Sequence, residues 1–317
     1  MMAPPVTFFK TQEGTAKSLH LDVNRDDSQV VVASSAVFII YDIEDDRFKE
    51  RVNLRGSKSQ NLNYSCNDVS WNKIDSHIIA TAATNGAVVL WNLGRSSRAK
   101  QEHVFIEHQR TVNKVAFHPA EANYLLSGSQ DGTMKLFDTR THEASSVFVT
   151  NAYSVRDVAF CPHGHGHLFA AGMENGHVQL WDVRRPDRYE KKWPAHSDHI
   201  FAVDWHPESK YTLASAGRDK QVKVWNTSEA KCEHTVYSIG PVGRIQWRPR
   251  YNYHLASCSG LVGDYSVSVW DIRRPYIPFA VFSEHKNVAT DLRWLQDPDR
   301  LLSGGKVRHP TLELVHH

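Results

Sequence analysis

The chain has 317 residues, of which 41% are hydrophobic and 23% charged, enough to bury a large core in a single domain spanning residues 1–317. A formal net charge of +2 and a pI near 8.3 exclude the global field that gathers nucleic acid, so no nucleic-acid partner is expected. Cys66, Cys161, Cys232 and Cys258 form no Cys-x-x-Cys pair and no secretory pattern precedes the first strand, while the longest apolar stretch, Val30 to Ile43, is broken by Ser34, Ser35 and Asp42. A reduced, intracellular protein without direct membrane insertion is the expectation.

In chain order, Val6 to Lys10 reads as a strand inside a lead-in of residues 1–15. An aromatic followed by Asp or Asn then closes an apolar, alternating segment six times: Tyr41-Asp42, Trp91-Asn92, Phe137-Asp138, Trp181-Asp182, Trp225-Asn226 and Trp270-Asp271. The spacings of 50, 46, 44, 44 and 45 residues match the period of a four-stranded propeller blade. The third repeat is the clearest, with strands over Val112 to Phe117, Tyr124 to Ser129 and Thr133 to Asp138. Pro119 stops the first of these because it has no N–H, and Asp131-Gly132 is expected to supply a positive-φ pair to the hairpin. Similar turn signals stand at Asn85-Gly86, Asn175-Gly176, Arg218-Asp219 and Gly263-Asp264.

After Gly304 the pattern degrades: Lys306 to Pro310 replaces the Asp-Gly turn, and Leu312 or Leu314 stands where the aromatic belongs. Thr311 to Val315 reads as a worn third strand that Val6 to Lys10 completes, which would close the ring and hide its edges. The expected fold is therefore all-β, a seven-bladed WD-repeat β-propeller. Residues 1–15 supply the closing strand, 16–304 the well-formed repeats, and 305–317 the divergent tail of an incomplete last blade.

His108, His196 and Pro241 each precede the aromatic of their repeat by 29 residues. A His there can join the turn Asp, a strand Ser or Thr and the Trp indole in a buried hydrogen-bond chain that locks one blade. His108 with Asp131 and His196 with Asp219 are candidates, and Trp91, Trp181, Trp225 and Trp270 carry the indole that Phe137 lacks. These histidines are read as structural.

Several segments are more specific than the generic repeat. They are Ile79 to Gly86, Trp91 to Arg95 with Ser97-Arg98, Glu107-His108, Arg110 to Val115, Ser127 to Gly132, Ser154 to Val158, Glu174 to Gly176, Trp181 to Arg188 and Gly217 to Lys220. From about Leu21 to Gly304 the chain closely resembles the propeller of the WD repeat-containing protein 24 family. Members of that family are subunits of the GATOR complex, called SEA in fungi, which sits at the lysosomal or vacuolar surface and relays amino-acid sufficiency to TOR kinase as a positive regulator. The resemblance implies a scaffold that contacts other GATOR or SEA subunits and their regulators, without catalysis and without a cofactor. The family also carries a helical solenoid and a zinc-binding RING; no run of paired Cys and His follows Trp270, so the tail reads as a truncation or a short form, and RING-dependent ubiquitin transfer is not expected of it.

Three further constellations carry competing readings. Arg184 and Arg273, and more weakly Arg140, follow the aromatic-Asp pair as in propeller receptors that dock on a cullin-ligase adaptor; the plainer reading pairs each Arg with the Asp of its own turn. Arg110, Arg156 and Arg244, with Lys114, are expected to gather at the channel rim as a site for an acidic or phosphorylated peptide, unless salt bridges to Asp157, Asp204 or Asp291 occupy them. Cys161 to His167 contains thiol and imidazole groups, yet a Gly-spaced loop does not fix a tetrahedral ligand set, so no metal is expected there. Phosphate loops and nucleophile elbows are absent, and Asn113, Arg156, Phe201, Gly243 and Ala289, taken as the residues at the inner-strand entrances, form no ligand set; an enzyme is not expected.

Overall fold

The computed structural model describes residues 6–10, 19–35, 37–44, 47–55, 65–96, 100–141, 143–151, 153–260, 263–305 and 311–316, with the backbone alone for 6–10 and 311–316. Almost all regular structure is antiparallel strand, and the one helical element among the described residues is a 3-10 turn at Gly164–Gly166. None of its helices is long and apolar enough to cross a membrane.

The third repeat shows how local chemistry sets the meander. Val112–Phe117, Tyr124–Ser129, Thr133–Asp138 and Glu143–Val149 form one sheet in that order. At the end of the first strand His118 Nδ1 accepts the backbone N–H groups of Ala120 and Glu121 at 3.1 and 2.9 Å, and Pro119 cannot extend the ladder. In the following hairpin the positive φ falls on Gly132 alone (+81°), not on Asp131 as well. The Asp131 carboxylate instead accepts the N–H of Thr133 at 2.9 Å, which closes the turn from a side chain. The outermost strand left little trace in the sequence pattern, because only Phe148 along Glu143–Val149 is fully buried.

Six four-stranded sheets are each built from consecutive strands, running from Leu19 to Asn53, Cys66 to Ile106, Val112 to Val149, Val155 to Pro194, Ile200 to Tyr237 and Val242 to Phe282. A further four-stranded sheet is composite. It takes Ala289–Trp294, Arg300–Gly305 and Thr311–His316 from one end of the chain and Val6–Lys10 from the other, with Val6 opposite Val315. The turn at 306–310 and the side chains of Leu312 and Leu314 lie outside the described residues.

Both faces of every sheet are covered, so second strands are near-continuous apolar runs such as Ile78–Ala83 and Leu213 with its neighbours in Thr212–Gly217. The core is accordingly divided into seven clusters, each between two adjacent sheets. One of them packs Leu295 and Leu302 against Leu19, Leu21 and Val30, joining the last sheet to the first. The ring is therefore closed by apolar packing as well as by strand exchange.

Candidate functional site

The innermost strand of each sheet, which is the first in chain order in six sheets and Ala289–Trp294 in the composite one, faces the axis of the ring. In six sheets its ladder skips one residue, between Cys66 and Asp68, Val112 and Lys114, Val155 and Asp157, Ile200 and Ala202, Val242 and Arg244, and Ala289 and Asp291. A bulge turns the skipped side chain out of the sheet. Asn67, Asn113, Arg156, Phe201, Gly243 and Thr290, with His20, consequently line one mouth of the channel. The five residues that the sequence reading placed at this level, Asn113, Arg156, Phe201, Gly243 and Ala289, all border the mouth; Ala289 does so beside Thr290, with its methyl packed between the last two sheets.

Immediately after the bulges come Asp68, Lys114, Asp157, Ala202, Arg244 and Asp291, and His20 of the first sheet completes the ring between Asp291 and Asp68; charge alternates around it except at Ala202 and His20. Lys114 Nζ lies 3.2 Å from Asp68, and the Arg244 guanidinium lies 3.7 Å from Asp68 and 3.6 Å from Asp291. A second layer holds Asp22 between Lys73 (2.9 Å) and Arg293 (3.2 Å). The same carboxylates also tie neighbouring sheets by accepting backbone N–H groups: Asp22 from Trp71 at 2.7 Å, Asp68 from Val115 at 3.1 Å, Asp157 from Val203 at 2.8 Å and Asp204 from Trp247 at 2.8 Å. Where the acceptor is ionised such a bond is of the stronger kind, and burial makes the loss of any of them costly.

Burial sets the titration of this channel. It pushes the Asp204 carboxyl up to about 7, against the hydrogen bond from Trp247, and it raises Asp157 as well. Burial and then the Arg244 charge bring the His20 imidazole down to about 4, so it is neutral at physiological pH. For Lys114, burial is the largest single influence and opposes the charge, but Asp68, Asp157 and Asp291 together outweigh it and hold the ammonium above its ordinary pKa.

His20, Asp68 and Asp291 bring three potential ligand atoms together. They do not fit a divalent cation. The guanidinium of Arg244 already faces both carboxylates, and Lys114 is a second cation on Asp68, so the positive charge of the site is supplied by the chain itself.

Around the ring, the blade locks differ. His196 Nδ1 lies 2.9 Å from Asp219, its Nε2 2.8 Å from Ser215 Oγ, and Trp225 Nε1 donates to the same oxygen at 2.8 Å. His108 bonds Asp131 at 2.9 Å and Ser127 at 2.7 Å, and the chain stops there because Phe137 has no N–H to give. Trp91 donates to Thr81 (3.0 Å), Trp270 to Ser257 (2.8 Å) and Trp181 to Gln179 (3.0 Å), each without a His in the chain. A partial lock that the sequence reading did not include joins His285 to Ser303 at 2.8 Å. Burial is the largest single influence on the Asp131 and Asp219 carboxyls and raises both, but the His108 and His196 contacts together with bonds from Thr133 and from nearby backbone N–H groups outweigh it and hold both below the ordinary range.

The rim cations do not gather as one set. Arg156 and Arg244 line the mouth, Lys114 lines the channel below it, and Arg110 stands exposed on a loop away from both. Arg156 pairs with Glu174 at 2.9 Å, and the partners of Lys114 and Arg244 are Asp68 and Asp291 rather than Asp157 or Asp204. Arg184 and Arg273 fold back on the Asp of their own turns, Asp182 and Asp271, with two N–H donors each, as Arg140 does on Asp138. In the Cys161 loop, Cys161 is buried and His163 reaches the carbonyl of His206; among the described residues no three-ligand group forms there. Sequence reasoning missed Asp22, Asp68, Lys73 and Arg293. An Asp three residues before the strand-ending Trp in Asp68 to Trp71 and Asp291 to Trp294 was the available signal.

Four-stranded sheets repeating around a charged channel, with His-Ser-Trp locks, define a WD-repeat β-propeller. A solved chain titled "Crystal Structure of Mitotic Checkpoint Complex" superposes with a TM-score of 0.82, covering 100% of this chain and 93% of that one, and at 18% identity shows the fold alone. Residues 62–262 match the family model described as "Nucleolar protein 10-like, N-terminal domain", and the chain belongs to that β-propeller family. It is also homologous to the proteins named "GATOR2 complex protein WDR24". Identity is 52% over 312 residues in Danio rerio, covering 95% of this chain and 40% of the relative. It is 51% in Homo sapiens (92% and 38%) and 41% in Dictyostelium discoideum (90% and 28%). The chain thus spans about 40% or less of the length of these relatives.

Proposed function

We propose that this propeller is a protein-interaction scaffold of a GATOR2-type complex, the SEA complex of fungi, relaying amino-acid sufficiency to TOR kinase as a positive regulator. The observation that carries the reading is identity near 50% across almost the whole ring to relatives that bear the GATOR2 name. Its partners are then other subunits of that assembly and their regulators, and its place is the cytoplasmic side of the lysosome or vacuole, reached through them. A non-enzymatic role accords with a channel whose buried charges serve one another and the backbone. Counting the composite sheet as a blade, the ring works as a seven-bladed platform: rigid sheets hold loops at fixed angles, so a partner docks without ordering the scaffold first.

Quantitative affinity purification of the chain from cells of its own source, followed by mass spectrometry, tests this. Retention of the GATOR2 subunits is expected. Recovery of a cullin-ligase adaptor in their place would overturn it.

A further inference from the structure

Among the described residues, eight of the fifteen exposed large apolar side chains fall between residues 237 and 281, where the sheets ending at Tyr237 and Phe282 meet. Tyr237 closes the outer strand Lys231–Tyr237 and donates its N–H to the carbonyl of Pro275 at 3.0 Å. Its ring stacks on Tyr276 with centroids 5.2 Å apart and planes within 9°, so two sheets share one aromatic wall. Tyr276 is 73% exposed and Ile277 71%, far beyond what isolated surface residues need.

The cause is local. The outer strand of the later sheet, Ala280–Phe282, has only three residues, and the segment from Pro275 to Phe279 runs over the surface before it. Pro275 and Pro278 restrict that run, so its side chains are presented with little entropy left to lose. Phe279 packs at 4.6 Å from His254, and His254 stacks on Tyr251 at 5.0 Å, extending the apolar surface.

Its rim is basic. Arg273 lies 4.3 Å over the Tyr253 ring and already neutralises Asp271 at 2.7 Å. Arg250 and Arg274 are exposed and carry no ion pair among the described residues. Tyr and Arg around an apolar centre is the composition of interface hot spots. A second copy on this patch would oppose arginine to arginine across a two-fold axis, which charge disfavours.

We infer that the Tyr237–Tyr276 wall is a docking surface for a partner protein segment that carries apolar anchors flanked by carboxylates. This goes beyond the scaffold reading and does not depend on which assembly the chain serves.

The test is selection of a random short-peptide display library on the whole chain, with counter-selection on the Tyr276→Ser/Phe279→Ser variant. Enriched peptides should pair apolar residues with Asp or Glu, bind the variant at least about tenfold more weakly and weaken as salt rises. In an Arg250→Glu/Arg274→Glu variant, which leaves the aromatic wall intact, the acidic preference should vanish. Three results overturn the inference: no enrichment over the variant, enrichment of basic peptides, or binding that the charge reversal leaves unchanged. Light scattering that shows a dimer abolished by the aromatic variant would replace the peptide with a second copy. Sedimentation of the wild-type chain, but not the variant, with phosphatidylserine vesicles would replace it with a membrane.

Discussion

Asp291 accepts the backbone N–H of Leu21 at 3.1 Å, bridging 270 positions of sequence and joining the last sheet to the first. Beside it, Leu19 donates its N–H to Thr290 Oγ1 at 3.0 Å, and that hydroxyl returns a bond to the Leu19 carbonyl at 2.7 Å. The ring is thus sealed at the channel wall by side chains, in addition to the strand exchange at its rim.

Asp291→Ala removes this seal and also strips Arg244 of one of its two carboxylates. Breaking a buried, hydrogen-bonded charge pair costs about 3–5 kcal/mol. Urea unfolding should show a loss of that order with an unchanged slope. A loss near zero would mean that the strand exchange alone holds the ring.

Ser215→Ala should cost more than Ser127→Ala. Ser215 Oγ serves both His196 and the Trp225 indole, whereas Ser127 serves His108 and reaches only the Lys135 carbonyl at 3.4 Å besides. An additional orphaned buried donor is worth about 1–3 kcal/mol, which sets the expected difference between the two variants in denaturant titration. Equal losses would show that the Trp225 bond contributes nothing.

Asp204 links stability to pH. Its carboxyl titrates near 7 in the folded chain, against about 3.9 unfolded, so the native state holds more protons across that window and stability falls as pH rises through it. Asp204→Asn cannot ionise and keeps an oxygen for the Trp247 N–H. Thermal unfolding should find the variant at least as stable as the parent at pH 8, with the slope between pH 4 and 7 flattened. A variant that is less stable at pH 8 would show that the ionised Asp204 is needed by Arg293.

Gly176→Ala and Gly164→Ala separate sterics from backbone preference. Both glycines have positive φ, +79° and +66°. A Cβ on Gly176 would stand 2.2 Å from the His196 carbonyl oxygen, while one on Gly164 meets nothing within 4 Å. The second change should cost about 1–2 kcal/mol, the left-handed penalty alone, and the first clearly more. Similar losses would mean that the His196 loop moves aside freely.

The repeat, the three inner strands of each well-formed unit and the His-Asp locks were legible in the residues alone, because strand alternation, Pro stops and Gly turns are local properties of a few consecutive residues. The Arg140, Arg184 and Arg273 pairs were legible as one of two readings for the same reason, since donor and acceptor are two residues apart. Which charges meet across the channel depended on how the sheets pack around the axis. Asp68 faces Lys114 and Arg244 from sheets far apart in sequence, and a one-residue bulge added Thr290 to the mouth beside Ala289. The pairing of Val6–Lys10 with the last sheet was legible as an expectation, but the seal at the channel wall is of that second kind: the bond from Leu21 to Asp291 exists because accumulated sheet-to-sheet rotation brings the first and last sheets together, a sum over every sheet that no local pattern contains.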